Sequence, residues 1–280
     1  MNRRELLQAT AGAGLGLGLP KALAEDPLNR KPIPVSGEQI PVIGLGTNRY
    51  KAGDAELTAR LGKALTTFAD LGGTLIDTAP MYRSSETILG QLIDAAQLRE
   101  RLFIATKSDR DVDSGGVERL ENSFRQLGTE QLDLVQSHNL RGVSSMLPIL
   151  REQKAEKKIR YIGITTSRAG QFEAFETVMR QEPLDFIQVN YSLADRQAEE
   201  RILPLAAERG IAVLVNLPLG RGKLFDAVGD RPLPDWAAEF DCSSWAQFFL
   251  KYVVSHPSVT CAIPGMTRAE HVTDNLGTLR

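Results

Sequence analysis

The feature that most constrains this chain is an alternation. Short apolar runs are followed, eight times, by amphipathic segments of helical period. Several runs stop abruptly on a polar residue. Leu75-Ile76 stops at Asp77, with Tyr82 five residues on; the run from Leu102 stops at Lys107; the run from Leu132 stops at His138. Runs this apolar are buried on both faces, as in parallel sheet. Eight strand–helix units in about 240 residues predict a (β/α)8 TIM barrel, whose active site lies at the C-terminal strand ends. An acid, a base and an imidazole at consecutive strand ends fit that position.

In order, strands are expected at 41–45, 74–77, 102–106, 132–136, 160–164, 185–189, 211–215 and 259–263. Helices are expected at 54–71, 84–97, 115–127, 144–157, 168–181, 195–208, 243–255 and 267–276. The first of these carries Leu57, Leu61, Ala64, Leu65, Phe68 and Leu71 at a 3.6-residue period and stops at Gly72-Gly73. Residues 31–43 read as a β-hairpin with a Ser-Gly-Glu turn, placed to cap the bottom of the barrel, and residues 216–240 as a long connection. A doubly wound open sheet is the competing fold. It is disfavoured because Gly44-Leu-Gly46-Thr-Asn-Arg49 lacks the third glycine of a dinucleotide turn.

Residues 1–24 are set apart as a signal peptide. Arg3-Arg4 precede an uncharged run from Ala9 to Leu19, then Pro20-Lys21 and the small-x-small site Ala22-Leu23-Ala24. The run is too short to span a bilayer, so no stable membrane span is expected. The paired arginines resemble a twin-arginine signal, with departures at Leu6 and Gln8. That implies recognition by the twin-arginine export machinery, cleavage near Ala24 and an exported or periplasmic protein, residues 25–280 forming the barrel.

A net charge of −2, with no basic run, gives no argument for nucleic acid. The three histidines are scattered, and no ligand spacing suggests a metal. Cys242 and Cys261 are no disulfide framework; the second lies in an apolar strand and reads as a buried thiol, although an oxidising compartment would allow them to pair.

The strand-end residues suggest a chemistry. A tyrosine with a pKa near 10 is a poor acid at neutral pH, and an adjacent ammonium lowers that pKa. Lys107 is expected to do so for Tyr82, Asp77 to keep the lysine charged, and His138 to offer an N–H or a proton path at the same point. This set suits protonation of a carbonyl oxygen while hydride reaches the carbon.

In these residues the chain resembles the aldo-keto reductase family. The resemblance is carried by Ile43-Gly-Leu-Gly-Thr47, Ile76-Asp-Thr-Ala-Pro-Met-Tyr82, Ile104-Ala-Thr-Lys107, Leu132 to His138, Ile159-Arg-Tyr-Ile-Gly163, Gln188-Val-Asn-Tyr-Ser192 and Ile263-Pro-Gly265. It implies hydride transfer between NAD(P)H and a small-molecule carbonyl, with Tyr82 as general acid, Lys107 and Asp77 tuning it and His138 orienting the substrate. For the cofactor it implies Gly46, Thr47 and Asp77 near the nicotinamide and its ribose, Gln188 at the carboxamide, and Thr165 and Thr166 where the family has Ser-Asn. Asn216 takes the place of a stacking aromatic. Leu219, Gly220, Arg221 and Gly222 match a pyrophosphate-covering loop, and Arg268, His271, Asp274 and Asn275 the adenosine end. Arg268 favours NADPH, with NADH the alternative. Asn48, Tyr50, Met81, Asn139, Leu140 and Trp236 are the expected substrate liners. Two readings compete: an exported accessory protein that binds without turnover, and a barrel isomerase or lyase using Lys107 as a Schiff base.

Overall fold

A computed structural model of the protein describes residues 28–278. The predicted leader, residues 1–24, lies outside them. Two short antiparallel strands, β1 (Arg30–Pro32) and β2 (Gln39–Pro41), form the expected hairpin. Its turn closes with Ile33 donating to Glu38 O at 2.8 Å, and Gly37 takes φ +76°, the left-handed conformation that glycine supplies without strain.

Eight parallel strands follow: β3 (Leu45–Gly46), β4 (Leu75–Asp77), β5 (Phe103–Ser108), β6 (Leu132–His138), β7 (Ile159–Thr166), β8 (Phe186–Asn190), β9 (Ala212–Asn216) and β10 (Cys261–Ala262). They pair in sequence order, and parallel bridges Ile43–Ala262 and Gly46–Gly265 join the last to the first. The result is the (β/α)8 barrel. β3 and β10 are shorter than expected: Pro41 is taken up by β2, and the chain leaves β10 after Ala262, two residues before Pro264.

Helices α1 (Ala55–Asp70), α2 (Ser85–Ala95), α3 (Gly116–Leu127), α4 (Val143–Ala155), α5 (Phe172–Gln181) and α6 (Ile202–Glu208) each connect successive strands. The long connection after β9 contains an unforeseen short helix, α7 (Lys223–Val228), before α8 (Trp245–Ser255); α9 (Ala269–Gly277) follows β10. Asp54 caps α1, its carboxylate accepting from Leu57 N at 2.8 Å, and Ser244 caps α8 from Gln247 N at 3.1 Å. The buried stripe Leu61, Ala64, Leu65 and Phe68 seats α1 on the barrel. Where α2 meets α3 there is no room for a side chain: a Cβ on Gly90 would lie 2.0 Å from Gln126 O.

Strand alternation divides the interior into two parts. Toward the N-terminal end, Leu75, Phe103, Leu134, Tyr161, Phe186, Leu214 and Cys261 form an apolar plug, completed by Ile33 and Ile40 of the hairpin. The hairpin therefore caps the bottom as expected. It is pinned by Lys31, whose ammonium donates to the carbonyls of Val254, His256 and Val259 at 2.7, 3.0 and 2.7 Å. The apolar plug gives way toward the C-terminal end to Asp77, Lys107, Gln136, His138, Thr165 and Gln188, all buried. Cys242 and Cys261 are both buried and free.

Candidate active site

That polar layer forms the floor of a cavity of about 750 Å³. Lys107 is its electrostatic centre. Its ammonium donates to both Asp77 oxygens at 2.7 and 2.8 Å and to Thr78 O at 2.7 Å, all three of its donors used. Burial disfavours the ammonium, but Asp77 and then Tyr82 outweigh it and hold the lysine pKa above its ordinary value. The Tyr82 ring centroid lies 5.2 Å from Lys107 Nζ, and the His138 ring meets Tyr82 edge-on at 6.0 Å. The four strand-end residues thus come together at one mouth.

Two details correct the sequence argument. Tyr82 was expected to be acidified; burial instead raises its pKa, and Asp77 adds to that, while Lys107 pulls the other way without prevailing. The phenol is therefore protonated at neutral pH, and the cation's effect falls on the phenolate left after proton loss. His138 is driven down to about 3, by burial first and then by Lys107, Arg141 and Arg168. Its imidazole is neutral across the physiological range, so it offers an N–H bond rather than a proton.

Gln136, not foreseen as a site residue, sits beside Lys107 in register and donates to Gln188 Oε1 at 2.8 Å. Gln188 in turn reaches Asp77 Oδ2 at 3.4 Å. Period-two alternation from His138 back through Gln136 to Leu134 carries the signal that would have found it. Four buried polar atoms in and beside the cavity have no partner: Gln136 Oε1, His138 Nδ1, Asn190 Oδ1 and Asn216 Oδ1.

Gly46, Thr47, Asn48, Asn139, Thr165, Gln188 and Asn216 line the cavity. So do Leu219, Arg221, Gly222, His271, Asp274 and Asn275. Asp274 is already engaged, accepting from Ser244 Oγ at 2.9 Å and Gln247 Nε2 at 2.9 Å.

The rest of the expected set lies elsewhere. Thr166 points outward, its hydroxyl bonded to Gln171 Oε1 at 2.7 Å, because the residue after inward Thr165 must face the other way. Tyr50 is fully buried in the packing between barrel and helices. Leu140 packs against the same core, and Met81 lies exposed at the rim against Arg141, outside the cavity wall. Trp236 is half-exposed against Phe240 and Phe248. Gly220 falls just outside the cavity wall, and Arg268 lies outside it beside Glu270 at 3.5 Å. Phe225, on the unforeseen α7, joins the wall instead.

Among the described residues no cluster of three His, Cys, Asp or Glu could hold a metal, and no helix is long and apolar enough to cross a membrane.

The model of the aldo/keto reductase family matches residues 42–280. The chain belongs to the aldo/keto reductase family. Among curated members, the aldo-keto reductase YhdN of Bacillus subtilis is 33% identical over 208 residues, 68% of this chain and 61% of that protein's length. The methylglyoxal reductase YeaE of Escherichia coli is 29% identical and covers 90% of both chains. An aldo/keto reductase of Klebsiella pneumoniae, solved with NADP and acetate and again with NADPH, superposes with a TM-score of 0.72 at 29% identity over 87% of each chain.

Proposed function

We propose that this family member reduces an aldehyde or ketone to the alcohol with NADPH, Tyr82 acting as the general acid. The observation that carries the reading is the buried Lys107–Asp77 pair set against Tyr82, with a neutral imidazole edge-on to the same phenol. The NADP-bound Klebsiella relative supports the choice of cofactor.

The cavity suits a dinucleotide. Asn216 presents a buried, unpartnered amide oxygen at its wall. Gly220, Arg221 and Gly222 run in left-handed backbone beside it, and Gly222 has open space where a Cβ would project. Gln188, Asn216 and Thr165 would hold the nicotinamide end, residues 219–222 the phosphates, and His271 and Asn275 the adenosine end. When bound, the cofactor supplies the hydride. His138 orients the carbonyl oxygen through its N–H, and Tyr82 gives that oxygen its phenolic proton. The phenolate left behind is stabilised by Lys107, which Asp77 keeps charged; this offsets part of the desolvation that raises the phenol's pKa. Proton and hydride balance the alcohol product.

The leader adds a location. Residues 1–24 suit twin-arginine export, which carries proteins already folded, so the cofactor would be loaded before translocation. Cell fractionation of the wild type and an Arg3→Lys/Arg4→Lys variant tests this: export predicts periplasmic protein lost in the variant, and equal cytoplasmic retention of both refutes it. For the activity, the purified protein is titrated with NADPH and NADH and assayed for carbonyl-dependent NADPH oxidation. Binding of NADPH with turnover supports the reading; binding of neither nucleotide overturns it.

A further inference from the structure

Charged side chains outside the catalytic group are unevenly matched. Over the shell and the lower end of the barrel, cations find carboxylates. Arg99 and Arg160 share Asp133, Arg119 meets Asp109 at 2.6 Å, and Lys154 meets Asp185 at 2.5 Å. Around the cavity mouth the matching is uneven: on the loops after β5, β8 and β10, Asp109, Glu199 and Glu270 pair with Arg119, Arg196 and Arg268, while the other five loops carry an arginine without such a partner. Arg49, Arg83, Arg141, Arg168 and Arg221 stand on five separate loops, after β3, β4, β6, β7 and β9. Among the described residues, none of the five has a carboxylate within 4.0 Å. These five guanidinium groups leave positive charge near the mouth that no ion-pair partner neutralises, although Asp274 stands in the cavity wall.

Arg141 is the most informative member. Its backbone is tied to the end of β6: the amide donates to His138 O at 3.1 Å, and the carbonyl accepts from Ser137 Oγ at 2.7 Å. Its guanidinium reaches toward the β4 loop and finds only the thioether of Met81, with Nη1 3.4 Å from Sδ. Met81 is the residue before Tyr82. A thioether is a weak acceptor, and a guanidinium carries five donors arranged to grip a carboxylate or phosphate in two places. Arg141 and Arg168 are also close enough to act on the imidazole of His138, after burial and Lys107. Neither lines the cavity; both stand at its rim, beside the lining residues Asn139 and Ser167. Beside the cavity a second cleft of about 540 Å³ shares Arg49 and adds Lys51, Arg60 and Arg83, faced only by Asp54 and Glu56. Asp54 is occupied in capping α1.

We propose that the substrate is a short aldehyde or ketone bearing an anionic group, a carboxylate or a phosphate ester. Arg141, seconded by Arg168, meets that group across the mouth, while the carbonyl lies between Tyr82 and His138. The inference rests on the reductase reading, and it makes Arg141 a specificity determinant. Arg221, on the loop after β9, is left to the cofactor.

The test compares matched substrates on the full-length protein with NADPH: an aldehyde with a terminal carboxylate against its methyl ester, and a phosphorylated aldehyde against its free alcohol. At low salt the wild type should favour the anionic member of at least one pair by about tenfold or more in kcat/KM, chiefly through KM. Which pair responds more strongly separates carboxylate from phosphate. In Arg141→Gln the anionic-to-neutral ratio should fall at least about fivefold, and Arg141→Lys should restore part of it. A ratio near one in the wild type, or one unmoved by Arg141→Gln, overturns the inference while leaving the reductase reading intact. Turnover of none of the four sinks that reading instead. The inference is then decided by calorimetry of the NADP-loaded protein with the corresponding alcohols: selective binding of the anionic alcohols supports it, and equal binding or none refutes it.

Discussion

The Asp77–Lys107 pair offers a prediction whose size follows from burial. The two side chains are 4% and 1% exposed, joined at 2.7 Å. Neither charge can recover its hydration if the partner is lost. Lys107→Met leaves a carboxylate with only the distant amide of Gln188, and Asp77→Leu leaves an ammonium with only Thr78 O. Breaking a buried pair on one side costs about 3–5 kcal/mol. In a domain of this size each kcal/mol moves Tm by about 2–4 °C, so each single variant should melt roughly 10 °C below the wild type. The double variant Asp77→Leu/Lys107→Met removes both charges and should recover most of the loss, because replacing a buried pair by apolar residues is often nearly neutral. Thermal and denaturant unfolding of all four proteins closes the cycle. Single variants within about 1 kcal/mol of wild type, or a double variant that loses the sum of the two, would refute the claim that this is a tightly coupled buried pair.

Three further outcomes follow from the same geometry. His138 titrates near 6.5 unfolded and at about 3 folded, so between those pH values only the unfolded chain binds the proton; stability should fall by about 1.4 kcal/mol per unit below pH 6.5 and be unaffected above it. His138→Gln should flatten that slope in denaturant unfolding at pH 7 and 5. Gly90→Ala should destabilise by about 2–3 kcal/mol despite alanine's higher helix propensity, since the added methyl meets backbone of α3; calorimetry reads the loss. Lys31→Met should cost about 2 kcal/mol by leaving three carbonyls unmet at the barrel base, seen as a Tm lower by about 5 °C.

The barrel was legible because its strands are apolar on both faces and its helices keep a 3.6-residue period. The hairpin was legible from its glycine turn. What the pattern could not show was α7, where Lys223 to Val228 spans too few residues to display a period. In the site, Asp77, Lys107 and His138 were readable as polar interruptions of apolar runs. Gln136 was hidden inside such a run. Tyr50 and Trp236 fall outside the cavity wall, since an aromatic in a connection reads alike whether it faces the cavity, the core or solvent. The raised pKa of Tyr82 was invisible for a related reason: residue types reveal the neighbouring cation, but only the packing reveals the desolvation that outweighs it.

The central claim is that Tyr82 delivers the proton, and one comparison tests it. Wild type and Tyr82→Phe are titrated with NADPH and then followed for NADPH oxidation with an aldehyde. The account predicts equal nucleotide affinity within about twofold and a kcat lower by about 10² or more in the variant. A variant that binds NADPH and still turns over within a few-fold of wild type would contradict it.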